Sequence, residues 1–336
     1  MKQISVGLIG FGLAGSVFHA PFIAALPRFR LTCAVTSRPD AVHEHYPSTR
    51  VYADPSQAIR DPEVNLIVIA TPNETHVDLA RAALLAGMHG VVDKPFAHTV
   101  GEALELKRLA DARGLVAAAY HNRRWDGDFL TVKACIDDGW IGRIHHFEST
   151  MAAWRTDYAL HGPHALQDKG PHLIDQALFL FGMPEAVFAD TRIERTAASV
   201  PDFFHVVMRY AGLRVILNAS LATHRPVSRF VLHGSLGSFV KRGTDGQGAA
   251  IRAGRRPAGD AWYVEDPASY GELTDDKGDR RPVVTSQGDY RLFYDAMADA
   301  ILSGAPAPVT AMEAASVARV VEACLESAES GRSVSL

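Results

Sequence analysis

Asp168 and His172 stand four positions apart in Gln167-Asp168-Lys169-Gly170-Pro171-His172, a spacing that puts both on one face of a helix. There a carboxylate can orient an imidazole and stabilise its protonated form, as a general acid/base pair requires. Pro171 has no N–H, so the helix either begins near Gly170 or kinks beside His172. The same residues have a structural reading, with Asp168 as a helix cap and His172 as a neutral surface side chain. A second candidate is Lys94 in Val92-Asp93-Lys94-Pro95-Phe96, where proline ends a strand and fixes the backbone beyond the ammonium. The third is Gly10-Phe11-Gly12-Leu13-Ala14-Gly15, whose glycines have the spacing of a dinucleotide turn. The first permits a tight turn, the second lets pyrophosphate approach the backbone, and the third lets helix and strand pack closely.

The elements that must position these residues are legible. An apolar strand, Ile4 to Ile9, precedes the glycine turn, an apolar helical pattern through Leu26 follows it, and Arg30 to Val35 completes a β-α-β unit. Where an NAD site usually presents an acidic residue to the ribose, this chain has Thr36-Ser37-Arg38. Ser37 can donate a hydrogen bond and Arg38 can form a charge-assisted contact with a 2′-phosphate, which points to NADP. Asp40 is the alternative ribose ligand, and NAD stays open with it. Leu66 to Ala70 reads as a strand buried on both faces. Thr71-Pro72-Asn73 and His76 then form a loop at the ligand-binding edge of the sheet, with Thr75 and Asp78 at capping-box spacing. Lys94 sits at the same edge, toward the nicotinamide end. Thr99 with Glu102 predicts a second capping box, on a helix stopped by Gly114.

The chain has 336 residues, enough for two domains. Its net charge of −4 and the lack of a basic run argue against a nucleic-acid partner. No apolar run approaches the roughly 18 residues of a membrane helix, and no signal peptide is evident, so a cytoplasmic protein acting on small molecules is expected. Cys33, Cys135 and Cys324 are scattered, which suggests packing rather than disulfides or zinc. The pattern yields a doubly wound Rossmann α/β domain over residues 1–120. An α+β domain with a mainly antiparallel sheet follows over residues 121–336. In the second domain, strands are predicted at Ile144 to Met151, Ala186 to Glu194, Phe203 to Tyr210, Leu213 to Ser220 and Arg229 to His233. Arg242 to Asp260 reads as a mobile loop, and helices Tyr290 to Leu302 and Ala311 to Ser327 close the chain.

Taken in order, the glycine turn, Thr71-Pro72-Asn73 with His76, Asp93-Lys94-Pro95, and Asp168 with His172 resemble the Gfo/Idh/MocA oxidoreductases. Within that family His121-Asn122-Arg123-Arg124-Trp125-Asp126 and Gly170-Pro171-His172-Leu173-Ile174-Asp175 look most like the branch of NADP-dependent scyllo-inositol dehydrogenases. The resemblance implies a large open C-terminal sheet whose exposed face makes a homo-oligomer interface. It also implies a sugar or polyol substrate, with the catalytic lysine at Lys94 and the Asp/His pair at Asp168 and His172. Two departures stand out: Asp93 replaces the family's usual Glu, and His161-Gly162-Pro163-His164 replaces a Gly-rich run, with Lys169 where a smaller residue is common.

The expected reaction is reversible oxidation of a secondary alcohol to a ketone. His172 exchanges the hydroxyl proton, Asp168 fixes its tautomer, and Lys94 donates a hydrogen bond to the reacting oxygen. Asn122, Arg124, Trp125, Arg155 and Tyr158 are candidates for substrate hydroxyls. A sensor that binds dinucleotide without turnover is the rival reading. A metal enzyme using His161, His164, His172 and Asp168 is a weaker one, and no metal site is expected.

Overall fold

A computed structural model describes residues 3–154, 164–225, 227–259 and 262–336. The chain divides into two compact units, each assembled from separate stretches. The first comprises Met1–Trp125, Gly246–Tyr263 and Asp289–Ala315, and the second comprises Asp126–Asp245, Val264–Gly288 and Ser316–Leu336.

The first unit is built on six parallel strands: β1 (Ile4–Ile9), β2 (Phe29–Val35), β3 (Arg50–Tyr52), β4 (Leu66–Ile69), β5 (His89–Asp93) and β6 (Ala117–Tyr120). They are ordered β3-β2-β1-β4-β5-β6. Because every pair is parallel, the carboxyl ends of β1, β4 and β5 share one edge, and the order reverses between β1 and β4. Such a switch point opens a crevice for a ligand. β1 and β4 are buried throughout, as strands covered by helices on both faces must be.

The helix Val100–Arg113 has the predicted start and stop. Glu102 N–H donates to Thr99 Oγ1 at 3.2 Å, Thr99 N–H donates to Glu102 Oε2 at 3.0 Å, and Gly114 ends the helix at φ +63°. Removing such a cap leaves an orphan donor, so Thr99→Ala is expected to cost about 1 kcal/mol in urea unfolding. A loss within experimental error would show that the cap carries no stability.

The second unit carries, among the described residues, a nine-stranded sheet. Its strands are β7 (Ile144–Ala152), β8 (Ala186–Arg192), β9 (Phe203–Tyr210), β10 (Leu213–Ser220), β11 (Ser228–Gly234), β12 (Gly237–Arg242), β13 (Gly271–Asp275), β14 (Arg280–Val283) and β15 (Val334–Ser335). The order is β14-β13-β12-β11-β7-β10-β9-β8-β15. Only β7 and β10 pair in parallel; the other pairs are antiparallel. The sheet is therefore mixed but mainly antiparallel, as its short turns imply.

The stretch expected to be a mobile loop contains a helix. Arg242 ends β12, and a helix follows at Gln247–Arg252. Ala250, Ile251 and Trp262 are buried in the first unit's core, so three apolar residues anchor an otherwise polar segment. All three cysteines are buried free thiols, and burial pushes that of Cys33 up to about 12.

Candidate functional site

The three glycines of the first turn have different surroundings. Gly10 has φ +99°, and a Cβ there would strike the Ala70 carbonyl; a Cβ on Gly15 would strike the Gly10 carbonyl. A Cβ on Gly12 meets nothing within 4 Å. The outer two glycines let the backbone pack, and the middle one keeps an approach open above the turn. That space fits a dinucleotide pyrophosphate. Ala14 lies within the first helical turn, Phe11 is buried, and Leu13 is 62% exposed beside the opening. The segment Ala14–His19 winds more widely than the expected α-helix and becomes α-helical at Ala20–Ala25. Gly12→Val is expected to leave thermal stability unchanged while weakening dinucleotide binding at least about tenfold, because its side chain fills only that approach. Gly15→Ala should instead lower the melting temperature. Unchanged binding in the Gly12 variant would remove the turn as the phosphate site.

Ser37 and Arg38 are exposed at the carboxyl end of β2. Arg38 Nη2 donates to the Phe11 carbonyl at 3.1 Å, which holds the guanidinium beside the glycine turn. Asp40 is also exposed, within the helix Pro39–His43.

At the end of β4 the expected Thr75 cap is not made. Thr75 Oγ1 donates to the Pro72 carbonyl at 2.8 Å and lies 2.7 Å from Thr71 Oγ1. Asp78 pairs with Arg81. A tight turn, Asn73–Thr75, intervenes before the helix His76–Leu85, which takes the hydroxyl away from the N3 amide. Asn73 is half-buried and Pro72 exposed on this loop. His76 is buried, with Nδ1 2.8 Å from the Pro95 carbonyl and Nε2 3.0 Å from the Thr71 carbonyl. The ring thus lies between two loops of the ligand edge, and its N–H donates to one of the two carbonyls.

Lys94 is half-buried at the end of β5. Its N–H donates to Asp93 Oδ1 at 2.7 Å, and Asp93 Oδ2 lies 3.8 Å from Nε2 of the fully buried His19. His19 Nδ1 meets the Tyr294 hydroxyl at 2.6 Å, and its ring lies 4.1 Å from that of Tyr120. Burial opposes ionisation of Asp93, but the His19 contact and the Lys94 charge outweigh it and hold the carboxyl below its ordinary value. Burial, and then the Asp93 charge, push the Tyr294 phenol far up. A carboxylate is therefore maintained directly beneath the lysine backbone.

Past β6, Asn122 and Arg124 are buried. Arg124 Nη1 donates to Glu313 Oε1 at 2.7 Å, while Glu313 Oε2 accepts from Thr310 N–H at 2.8 Å and so begins the helix Ala311–Ser330. Trp125 packs edge-on against Phe293 at 5.4 Å, and its carbonyl accepts from Gln247 Nε2 at 3.1 Å. Arg124 and Trp125 thus have partners within the first unit. Arg155 and Tyr158, with His161, lie outside the described residues.

In the second unit the Asp168/His172 spacing is divided between two helices, Ala165–Asp168 and Gly170–Phe181. Pro171 has no N–H to continue the ladder, so the second helix starts at Gly170. The expected shared face on one helix is therefore replaced by a junction at Lys169. Asp168 Oδ2 accepts from Lys169 Nζ at 3.0 Å. His172 is 9% exposed, in the first turn of its helix, which excludes the surface reading. His164 Nδ1 accepts from Leu166 N–H at 3.1 Å, and burial lowers its pKa, which favours the neutral ring that such a cap needs. Among the described residues no group of three or more candidate metal ligands assembles, and no helix is long and apolar enough to cross a membrane.

Sequence reasoning missed two supports. One is His19 with Tyr294; a lone His inside Val17-Phe18-His19-Ala20-Pro21-Phe22 was the available signal. The other is buried Arg229 on β11, whose Nη2 donates to Gln176 Oε1 at 2.9 Å and Nη1 to Ser149 Oγ at 2.5 Å. Its Nε lies 3.5 Å from Asp128 Oδ2. Arg229 thereby ties the helix bearing His172 to β7, and nothing in the local sequence marks it.

Residues 4–121 match a family described as "Oxidoreductase family, NAD-binding Rossmann fold", and residues 133–336 match "Oxidoreductase family, C-terminal alpha/beta domain", both of the Gfo/Idh/MocA group. The chain is 37% identical to the scyllo-inositol 2-dehydrogenase (NADP(+)) IolW of Bacillus subtilis, over 100% of this chain and 97% of that protein. A solved structure of yvaA from Bacillus subtilis superposes with a TM-score of 0.96 at 37% identity, covering 100% of this chain and 99% of the other. A solved Klebsiella pneumoniae protein gives 0.95 at 38% identity, with coverage of 100% and 96%.

Proposed function

The chain belongs to the Gfo/Idh/MocA oxidoreductase family, and from that premise we propose that it is an NADP-preferring dehydrogenase of a cyclic polyol or sugar. It would interconvert a secondary alcohol and its ketone. The observation that carries this reading is the shared edge of the first sheet. The open approach over Gly12, the Arg38 guanidinium beside Phe11, and Lys94 all stand at carboxyl ends of its parallel strands. The full-length similarity to an NADP(+)-dependent scyllo-inositol dehydrogenase supports the substrate class.

The glycine turn, Thr71 to Asn73 and Lys94 would hold the dinucleotide, and Arg38 with Ser37 would engage the 2′-phosphate. When bound, the nicotinamide accepts or supplies the hydride. His172 takes the proton of the substrate hydroxyl in one direction and returns it in the other. Asp168 orients that ring. Lys94 donates to the reacting oxygen and stabilises negative charge there. A homo-oligomer formed through the second unit's sheet belongs to the same reading, and sedimentation would measure it.

The test is a panel of inositols, aldoses, keto-sugars and sugar acids, followed by nicotinamide absorbance with NADP(H) and NAD(H). Turnover of a cyclic polyol with preference for NADP is expected. Tight NADPH binding with no turnover across the panel would replace the enzyme with a sensor.

A further inference from the structure

His76 opens the helix that follows β4 and is 1% exposed. Its Nδ1 lies 2.8 Å from the Pro95 carbonyl and its Nε2 3.0 Å from the Thr71 carbonyl. Both neighbours are acceptors. A neutral imidazole offers one N–H and one lone pair, so whichever tautomer forms, one of these oxygens faces a lone pair at hydrogen-bond distance. Only the imidazolium, with two N–H groups, donates to both. The ring's partners among the described residues are these two carbonyls.

The two carbonyls belong to the loops proposed above to hold the dinucleotide. Thr71 stands just past β4, and Pro95 directly follows Lys94. Thr71 also lies against the glycine turn: Ala70 N–H donates to the Ile9 carbonyl at 2.8 Å, and a Cβ on Gly10 would stand 3.1 Å from the Thr71 nitrogen. The backbone of Thr71 therefore reaches from the glycine turn to the His76 ring. The charged groups on the surrounding elements are engaged elsewhere or exposed. Asp78 and Glu105 pair with Arg81, Glu102 accepts from the His98 and Thr99 N–H groups, and Asp93 accepts from Lys94 N–H and faces His19. Glu74 and His98 are exposed, and Lys94 is half-buried. A positive His76 ring is thus opposed by its burial and by the Lys94 charge, with no carboxylate bonded to it in compensation. An anionic diphosphate over the glycine turn favours it.

We infer that His76 takes up a proton when a dinucleotide binds, so that its ring then donates to both carbonyls and ties the Thr71 and Pro95 loops together at the cofactor edge. This rests on the dinucleotide reading above and not on the choice between NADP and NAD. The proton comes from solvent. Because the complex holds more protons than the free protein, affinity rises as pH falls, and by the same linkage the cofactor raises the ring's hold on its proton.

The test titrates full-length protein with NADH and NADPH by calorimetry in HEPES and in Tris, whose different ionisation heats reveal protons taken up on binding. The 2′-phosphate of NADPH itself titrates near neutral pH, so NADH isolates the protein's own uptake. The wild type should take up a fraction of a proton per NADH and bind it about three- to tenfold more tightly near pH 6 than near pH 8. His76→Gln and His76→Asn, whose side chains do not titrate, should lose that uptake and change less than about twofold over the same range. No uptake by the wild type would overturn the inference and leave the dinucleotide site standing, and so would uptake undiminished in both variants. Should the variants fail to fold, imidazole nitrogen NMR of the wild type decides: a ring with both nitrogens protonated is expected to appear on saturation with NADH, and an unchanged histidine spectrum would overturn the inference. A protein that binds neither cofactor would bring down the dinucleotide reading, and this inference with it.

Discussion

His172→Ala and Lys94→Ala are each expected to reduce turnover at least about a hundredfold, since a positioned proton-transfer or charge-stabilising group contributes on the order of 10² to 10⁴ in rate. Cofactor affinity should be mostly kept in both. The glycine turn proposed to hold the phosphates follows β1, and the Lys94 backbone N–H donates to Asp93. His172 belongs to the second unit. Because its ring is buried, His172→Gln is the companion variant, keeping bulk and hydrogen-bonding capacity while removing the titration. It should remain as stable as the wild type and as inactive as the alanine variant. Single-turnover absorbance measurements on the best substrate of the panel would check both residues. Unchanged turnover in either would remove that residue from the mechanism.

Arg38→Ala should weaken NADPH by about ten- to a hundredfold, on the order of 1.5 to 3 kcal/mol for a charge-assisted contact. NADH should be nearly unaffected. The selectivity follows from where the guanidinium stands. It is exposed, bonded to a backbone carbonyl of the glycine turn, and without a carboxylate partner among the described residues, so little of the fold depends on it. Fluorescence titration with both cofactors makes the comparison. Equal loss for both would show that Arg38 supports the turn through Phe11 and does not read the 2′-phosphate.

Much of this was legible in the residues because the signals were local. The apolar run Ile4 to Ile9, the three glycines and the pair Thr99/Glu102 each act through neighbours a few positions away, and each forms the expected element. Pro171 fixed where its helix starts by lacking a donor, whatever surrounds it. The Thr75 and Asp78 cap had the right spacing but failed, because an intervening turn engaged the hydroxyl first.

Roles that depend on burial and distant partners were not legible. His76, Asn122 and Arg124 look equally suited to touch a ligand; only packing shows that His76 is buried between the Pro95 and Thr71 carbonyls and that Arg124 is paired with Glu313. The polar stretch after Arg242 reads as loose chain, yet Ala250, Ile251 and Trp262 suffice to bind it to the first core.

By itself the sequence determined the candidates for chemistry: a glycine turn, a cation beyond β2, a lysine on a proline corner, and an Asp and a His four positions apart near a helix start. Tertiary structure alone decided what supports each one. It put His19 and Tyr294 under Asp93, and Arg229 behind the helix of His172. The physical reason is range. Turns, caps and strand patterns are set by contacts within a few residues. The charge and orientation of a buried group depend on whichever remote side chains the fold brings against it.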